Sequence, residues 1–347
     1  MRFPRSSALA LLVCCLGLIG PAHAASYRLL TTISIPGAPI DNFDISYVDP
    51  ATQTFYFSDR TNAGVNVINM QDNSFVGRIG GFVGVRGKNS VSGPNGIVLV
   101  PEQKELWVAD GDSTVKVVDL QSKSVVASIP TGGKNRADEM DYDAADGVVM
   151  VTNGDEEPPF VTFISTKTRA VLGRLNIPEA KDGLEFPQWD RVSGNFFLSV
   201  PQTPDHPGGA ILVIDPKTMK VLNTFPVALC TPYGLAFGPN QQLLVGCGKE
   251  KDARSIILDA KTGQVIVTLT QVGGSDQVWF NPSDSRYYLA ARYNPGGAVL
   301  GIIDARSNTW VENVPSVKGA KSLAVNPKTN RVFMPLPQKG VGVFGQE

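Results

Sequence analysis

From residue 27 onward, short apolar stretches alternate with turn-forming residues, and no helical period of useful length runs through them. Six segments share one rhythm. A polar residue opens a short alternating strand, a turn often carrying proline follows, and then come a second apolar strand, a polar loop and a third strand often ending in Asp. Residues 95–101, 105–110 and 115–119 form one such unit. Residues 276–282, 287–291 and 300–304 form another, and the remaining units open at 44, 139, 185 and 233. Most third strands are followed by a turn and a fourth strand, as at 220–225 and 264–269. Repetition at this period marks a repeat architecture, and a unit of four short antiparallel strands is a propeller blade. The spacing of strands and turns also suits a sandwich, but a sandwich does not need one residue class at one step six times.

A seventh unit, 321–327, 331–334 and 341–344, has only three strands. The run 27–35 is strand-like and stands before the first unit, so it is expected to supply the fourth strand and remove a free sheet edge. The fold expected is therefore all-β: a seven-bladed β-propeller of four-stranded antiparallel blades, closed by the N-terminal strand completing the last blade. One domain would span 25–347.

Counting six residues back from each turn residue, which is Pro50, Pro101, Pro239, Pro282 or Pro327 in five blades, reaches Asp44, Asn95, Glu139, Glu185, Tyr233, Asp276 and Lys321. This position opens the innermost strand, so the seven side chains are expected around one mouth of the central channel. Four carboxylates near one axis repel unless protons, cations or water relieve them. A hard cation such as Ca²⁺ is the natural divalent partner, with Lys321 supplying part of the compensation. The alternative is a solvated channel mouth, since Asp and Asn at strand starts also serve turns. A second tier, Asp59, Asp110, Asn153 and Arg292, stands at the ends of the second strands and is expected to face the same mouth as ligand-binding side chains. Arg292 and Arg136 could clamp an anion; ordinary surface ion pairing is the alternative for each.

The N-terminus changes where such a protein would work. Arg2 and Arg5 precede an apolar run at 8–20 and then Ala22-His23-Ala24, which reads as a signal peptide over 1–24. The run is too short to span a bilayer comfortably. A periplasmic or secreted protein is expected, with no membrane insertion after cleavage. Cleavage would leave Cys230 and Cys247, either a disulfide in an oxidising compartment or two buried thiols. The formal net charge is −1 and no basic stripe stands out, so nucleic-acid binding has no footprint. After cleavage His206 would be the one histidine, which leaves no multi-histidine metal site, and no nucleophile elbow or phosphate loop is present.

Residues 149–153 (Val-Met-Val-Thr-Asn), 106–110 (Leu-Trp-Val-Ala-Asp) and 54–59 resemble the strand motif of YVTN-type, YncE-like propellers over essentially all of the mature chain. That resemblance implies an extracytoplasmic seven-bladed propeller. Pro94-Asn95-Gly96-Ile97 with 106–110 is also similar to the metal-ligand asparagine segment of the SMP-30/gluconolactonase family. Residues 185–190 are similar to its ligand glutamate segment, and Asp276 stands for its ligand aspartate. That likeness implies Asn95, Glu185 and Asp276 holding a divalent cation that polarises a lactone or ester carbonyl, with Asp44 or Glu139 as catalytic base. It departs from that family in blade number and in the blade that carries the glutamate. The leading expectation is a monomeric binding propeller that holds a small polar molecule, a divalent cation or a protein partner at the channel mouth. The metal-dependent hydrolase is the alternative.

Overall fold

The computed structural model describes residues 26–248 and 254–346; the expected signal segment lies outside them. The described residues form seven four-stranded antiparallel sheets. Blade one runs from its inner strand Ser46–Asp49 through Thr54–Asp59 and Gly64–Asn69 to Ser74–Ile79. Blades two to six repeat this order, opening with Ile97–Val100, Met140–Asp143, Pro187–Trp189, Pro232–Phe237 and Val278–Asn281. Blade seven takes Ala324–Asn326, Arg331–Leu336 and Gly340–Gly345 from the C-terminal segment and Arg28–Ile33 from the N-terminal one. The Tyr27 and Tyr288 hydroxyls meet at 2.6 Å and tie that closing strand to blade six. Each inner strand touches the inner strands of both neighbouring blades, so the seven close into a ring.

Alternation holds on the rim and fails inside. The outer strand Ser124–Pro130 alternates exposed positions with part-buried or buried ones, but Glu105–Asp110 is buried at every position. The physical reason is that each blade lies between two others, so both faces of its middle strands are covered. The hydrophobic clusters accordingly straddle blade boundaries. One joins Phe55, Phe57 and Ile68 of blade one to Phe333, Val341 and Val343 of blade seven. In blades one to six the register between third and fourth strands shifts once, at the same step, as at Val67/Ile68 and Val117/Val118. A bulge at that point increases the local twist of the outer strand.

Cys230 and Cys247 form a disulfide with Cα atoms 4.6 Å apart. It joins the entry to the inner strand of blade five to the end of the second strand. Among the described residues no helix is long and apolar enough to cross a membrane.

Candidate functional site

In blades one to four and in blade six, the residue that opens the inner strand is held by one repeated pair of backbone bonds. In blade one Asp44 N donates to Ser58 O, and Ser58 N donates to Ile45 O. The same pair places Asn95 with Ala109, Glu185 with Ser199 and Asp276 with Ala290. In blade three the pair runs through Thr152 and places Asp138, not Glu139, at the equivalent step. Counting back from Ala145 therefore misses by one residue: Asp143 pairs with Val148, so the turn opens at Ala144. Glu139 stays close nonetheless. One carboxylate oxygen each of Asp44, Asp138 and Glu139 lie within 4.8 Å of one another, and all three residues are buried.

Basic side chains reach this cluster from the ends of the second strands. Arg60 directly follows the strand Thr54–Asp59, and Arg292 directly follows Arg286–Ala291. Each turns back on the ring residue of its own blade, Arg60 on Asp44 and Arg292 on Asp276 at 3.1 Å. Arg60 also donates through Nε to Asn95 Oδ1 and through Nη1 to Asn89 Oδ1, both at 2.8 Å. Lys321 sits between the two acids, 2.6 Å from Asp44 Oδ1 and 3.8 Å from Asp276 Oδ2. Arg136 pairs with Asp138 at 2.5 Å and with Asp155 at 2.8 Å.

The mouth therefore has two electrostatic halves. Burial pushes the Asp44 carboxyl up, but Arg60, Lys321 and Arg136 outweigh it and hold the group below the usual carboxylate range. Toward blades three and four compensation fails. Burial raises Glu139 well above its ordinary value, and Asp138, Glu185 and Asp44 add to it. Burial does the same to Glu185, with Asp276 and Asp138 adding. Asp138 rises to about 6, since burial outweighs Arg136. Tyr233 completes this half, and burial with Glu185 and Asp276 raises its phenol too. A Cβ on Gly248 would collide with the Tyr233 ring, so only glycine leaves that ring its place.

Several polar atoms here are buried without a hydrogen-bond partner: Glu139 Oε2, Asp138 Oδ1 and Arg292 Nε. Burying a polar group unpartnered costs about 1–3 kcal/mol, so such atoms in one mouth describe a surface complementary to something polar.

The acids of the second tier face other duties. Asp59 accepts from Asn62 and Asn66 at 2.8 Å, and Arg78 lies 3.7 Å away. Asp110 accepts from Gly111 N at 2.8 Å and pairs with Lys116. Asn153 donates to Ser113 Oγ and Arg136 O, each at 3.2 Å. Asp59 braces blade one internally, Asp110 and Asn153 tie loops between neighbouring blades, and only Arg292 of that tier joins the ring. Asn95, expected as a metal ligand, has Oδ1 taken by Arg60 and Nδ2 bonded to Ala137 O at 2.6 Å. Asp138 and Arg60 escaped the sequence reading. The signal for Arg60 was available, because it holds the same step after its strand as Arg292.

No family model matches the chain, and no curated protein matches it. Among solved structures, the WD40 β-propeller domain of Doa1 superposes with a TM-score of 0.70 at 14% identity, covering 92% of this chain and 97% of that one. At that identity the likeness carries the fold alone.

Proposed function

We propose that this propeller binds a small polar molecule at the charged mouth, one that brings hydrogen-bond donors to blades three and four and an anionic group to the arginine side. The observation that carries this reading is Glu139 Oε2, buried without a partner beside Asp138 Oδ1, with Arg292 Nε unpartnered in the same ring. A zwitterion or a polar acid answers both needs, and the raised carboxyls let Glu139 or Glu185 act as donor or acceptor. The Cys230–Cys247 disulfide supports placing the protein outside the cytoplasm, periplasmic or secreted.

A divalent cation is the second reading, favoured by the convergence of Asp44, Asp138 and Glu139 oxygens within 4.8 Å. Against it, Arg60, Lys321 and Arg136 already pair with two of those three acids. The lactone or ester hydrolase, in turn, needs an oxygen from Asn95, which Arg60 occupies. Binding is therefore the reading the geometry supports best.

Thermal unfolding in a panel of amino acids, small hydroxy acids and Ca²⁺ tests this, because a ligand of the native state raises the midpoint by mass action. A saturable rise with a zwitterion or acid that Glu139→Gln abolishes supports the proposal. A rise with Ca²⁺ alone supports the cation. If nothing in the panel moves the midpoint, the mouth is only solvated channel lining.

A further inference from the structure

The opposite end of the channel has a different chemistry. Where the inner strands run into their turns lies a cavity of about 1030 Å³, within the range of small-molecule sites. Its walls carry Tyr47, Trp189, Phe237 and Trp279, from blades one, four, five and six. Tyr47 and Trp279 meet edge to face across the channel, ring centroids 5.8 Å apart and planes at 80°.

Many polar groups of this lining are spent within the protein, while Trp189 Nε1 is buried without a hydrogen-bond partner and Arg191 is an exposed part of the wall. Gln277 uses both amide atoms on Ser46 and Leu323. Asp190 accepts from Val192 N, Ser193 N and Gln241. Gln188 donates to Asp141 Oδ2 at 2.9 Å, and Trp189 N donates to the same oxygen at 2.5 Å. Asp141 differs from the rest. Both of those bonds fall on one oxygen, and among the described residues no basic side chain pairs with it. Burial raises it to about 7, the response of a carboxyl that lacks a countercharge.

We infer that this cavity is a second binding site, for a small organic cation: an ammonium carrying apolar substituents, with Asp141 as its counter-ion and the aromatic rings as its walls. Ring faces attract cations, most strongly where water is excluded, and Trp does so best. An uncharged sugar would need several free donors and acceptors, and the side chains of Gln277 and Asp190 are already engaged. The site lies at the far end of the channel from the charged ring and shares no residue with it.

Isothermal titration of the protein with choline and with its uncharged isostere dimethylbutanol tests this directly. Choline should bind saturably, and the isostere at least tenfold more weakly. Asp141→Asn preserves shape and removes the charge, and it should lower choline affinity at least tenfold. Trp279→Leu should lower it by a similar factor while Asp141 is intact, which keeps the question decidable if either variant fails to fold. Equal affinity for choline and isostere, affinity unchanged in both variants, no choline binding, or binding of methyl glucoside instead would each overturn the inference.

Discussion

Gln277 of blade six exchanges with Ser46 of blade one the two hydrogen bonds that neighbouring sheet strands would exchange. Ser46 N donates to Oε1 at 3.1 Å, and Nε2 donates to Ser46 O at 2.8 Å. Leu323 N of blade seven donates to the same Oε1 at 3.1 Å. One side chain thus joins three inner strands, two of them from blades that do not adjoin, and neighbours Asp276 of the charged ring.

Gln277→Ala leaves Ser46 N, Ser46 O and Leu323 N without these partners. Each buried orphan costs about 1–3 kcal/mol, reduced where water refills the space. A loss of about 3 kcal/mol is expected, read as a lower denaturant midpoint. An unchanged midpoint would mean the three blades hold together without this link.

Arg60 is 1% exposed and serves Asp44, Asn95 and Asn89 at once. Removing one partner of a buried ion pair costs about 3–5 kcal/mol, because the other charge stays buried. Arg60→Ala should cost that much, and Arg60→Lys should recover little, since one ammonium cannot reproduce the guanidinium fork. Arg292→Ala should cost less, because its side chain is 22% exposed. Equal midpoints for the two alanine variants would refute this ranking.

Stability should rise as pH falls from 8 toward 4. Asp138 titrates at about 6 and Asp141 at about 7, both above the ordinary 3.8, and Glu139 and Glu185 are raised as well. Between the unfolded and folded values the native state binds more protons, so its advantage is full below the unfolded value and is lost as pH rises through the folded one. Asp44 acts oppositely: its lowered value gives stability above about 3.8 that fades as pH falls further. Unfolding midpoints from pH 3 to 9 should therefore peak near pH 4. Glu139→Gln should flatten the alkaline limb; a monotonic rise to pH 8 would contradict the assignment.

The Cys230–Cys247 bond closes a loop with a sequence separation of 17. Chain-entropy arithmetic for such a loop gives about 3 kcal/mol. Cys230→Ala/Cys247→Ala, compared with the oxidised protein in denaturant titrations, should show a loss of that order. Reductant should lower the midpoint of the parent protein and leave the double variant unmoved.

The blade pattern was readable along the chain because it is local. Turn prolines, short apolar runs and their spacing follow from neighbours in sequence, and they announced seven units and a closing strand from the N-terminal side. Blade three shows the limit of that kind of reading. Ala144-Ala145 offers no proline to index the turn, and a slip of one residue exchanged Asp138 for Glu139.

The electrostatics of the mouth were not local. Asp44 and Lys321 are 277 residues apart and meet at 2.6 Å only because the ring closes. The fate of Asn95 depends on Arg60 arriving from the neighbouring blade. Whether the two cysteines bond depends on which strands pair. Sequence alone determined, in every blade but the third, which residues open the inner strands, and that most of them are acidic. Tertiary structure alone decided which of those acids meet a cation and which stay buried without one. Coulomb interaction and desolvation depend on distance and burial in space, and strand order along the chain encodes neither.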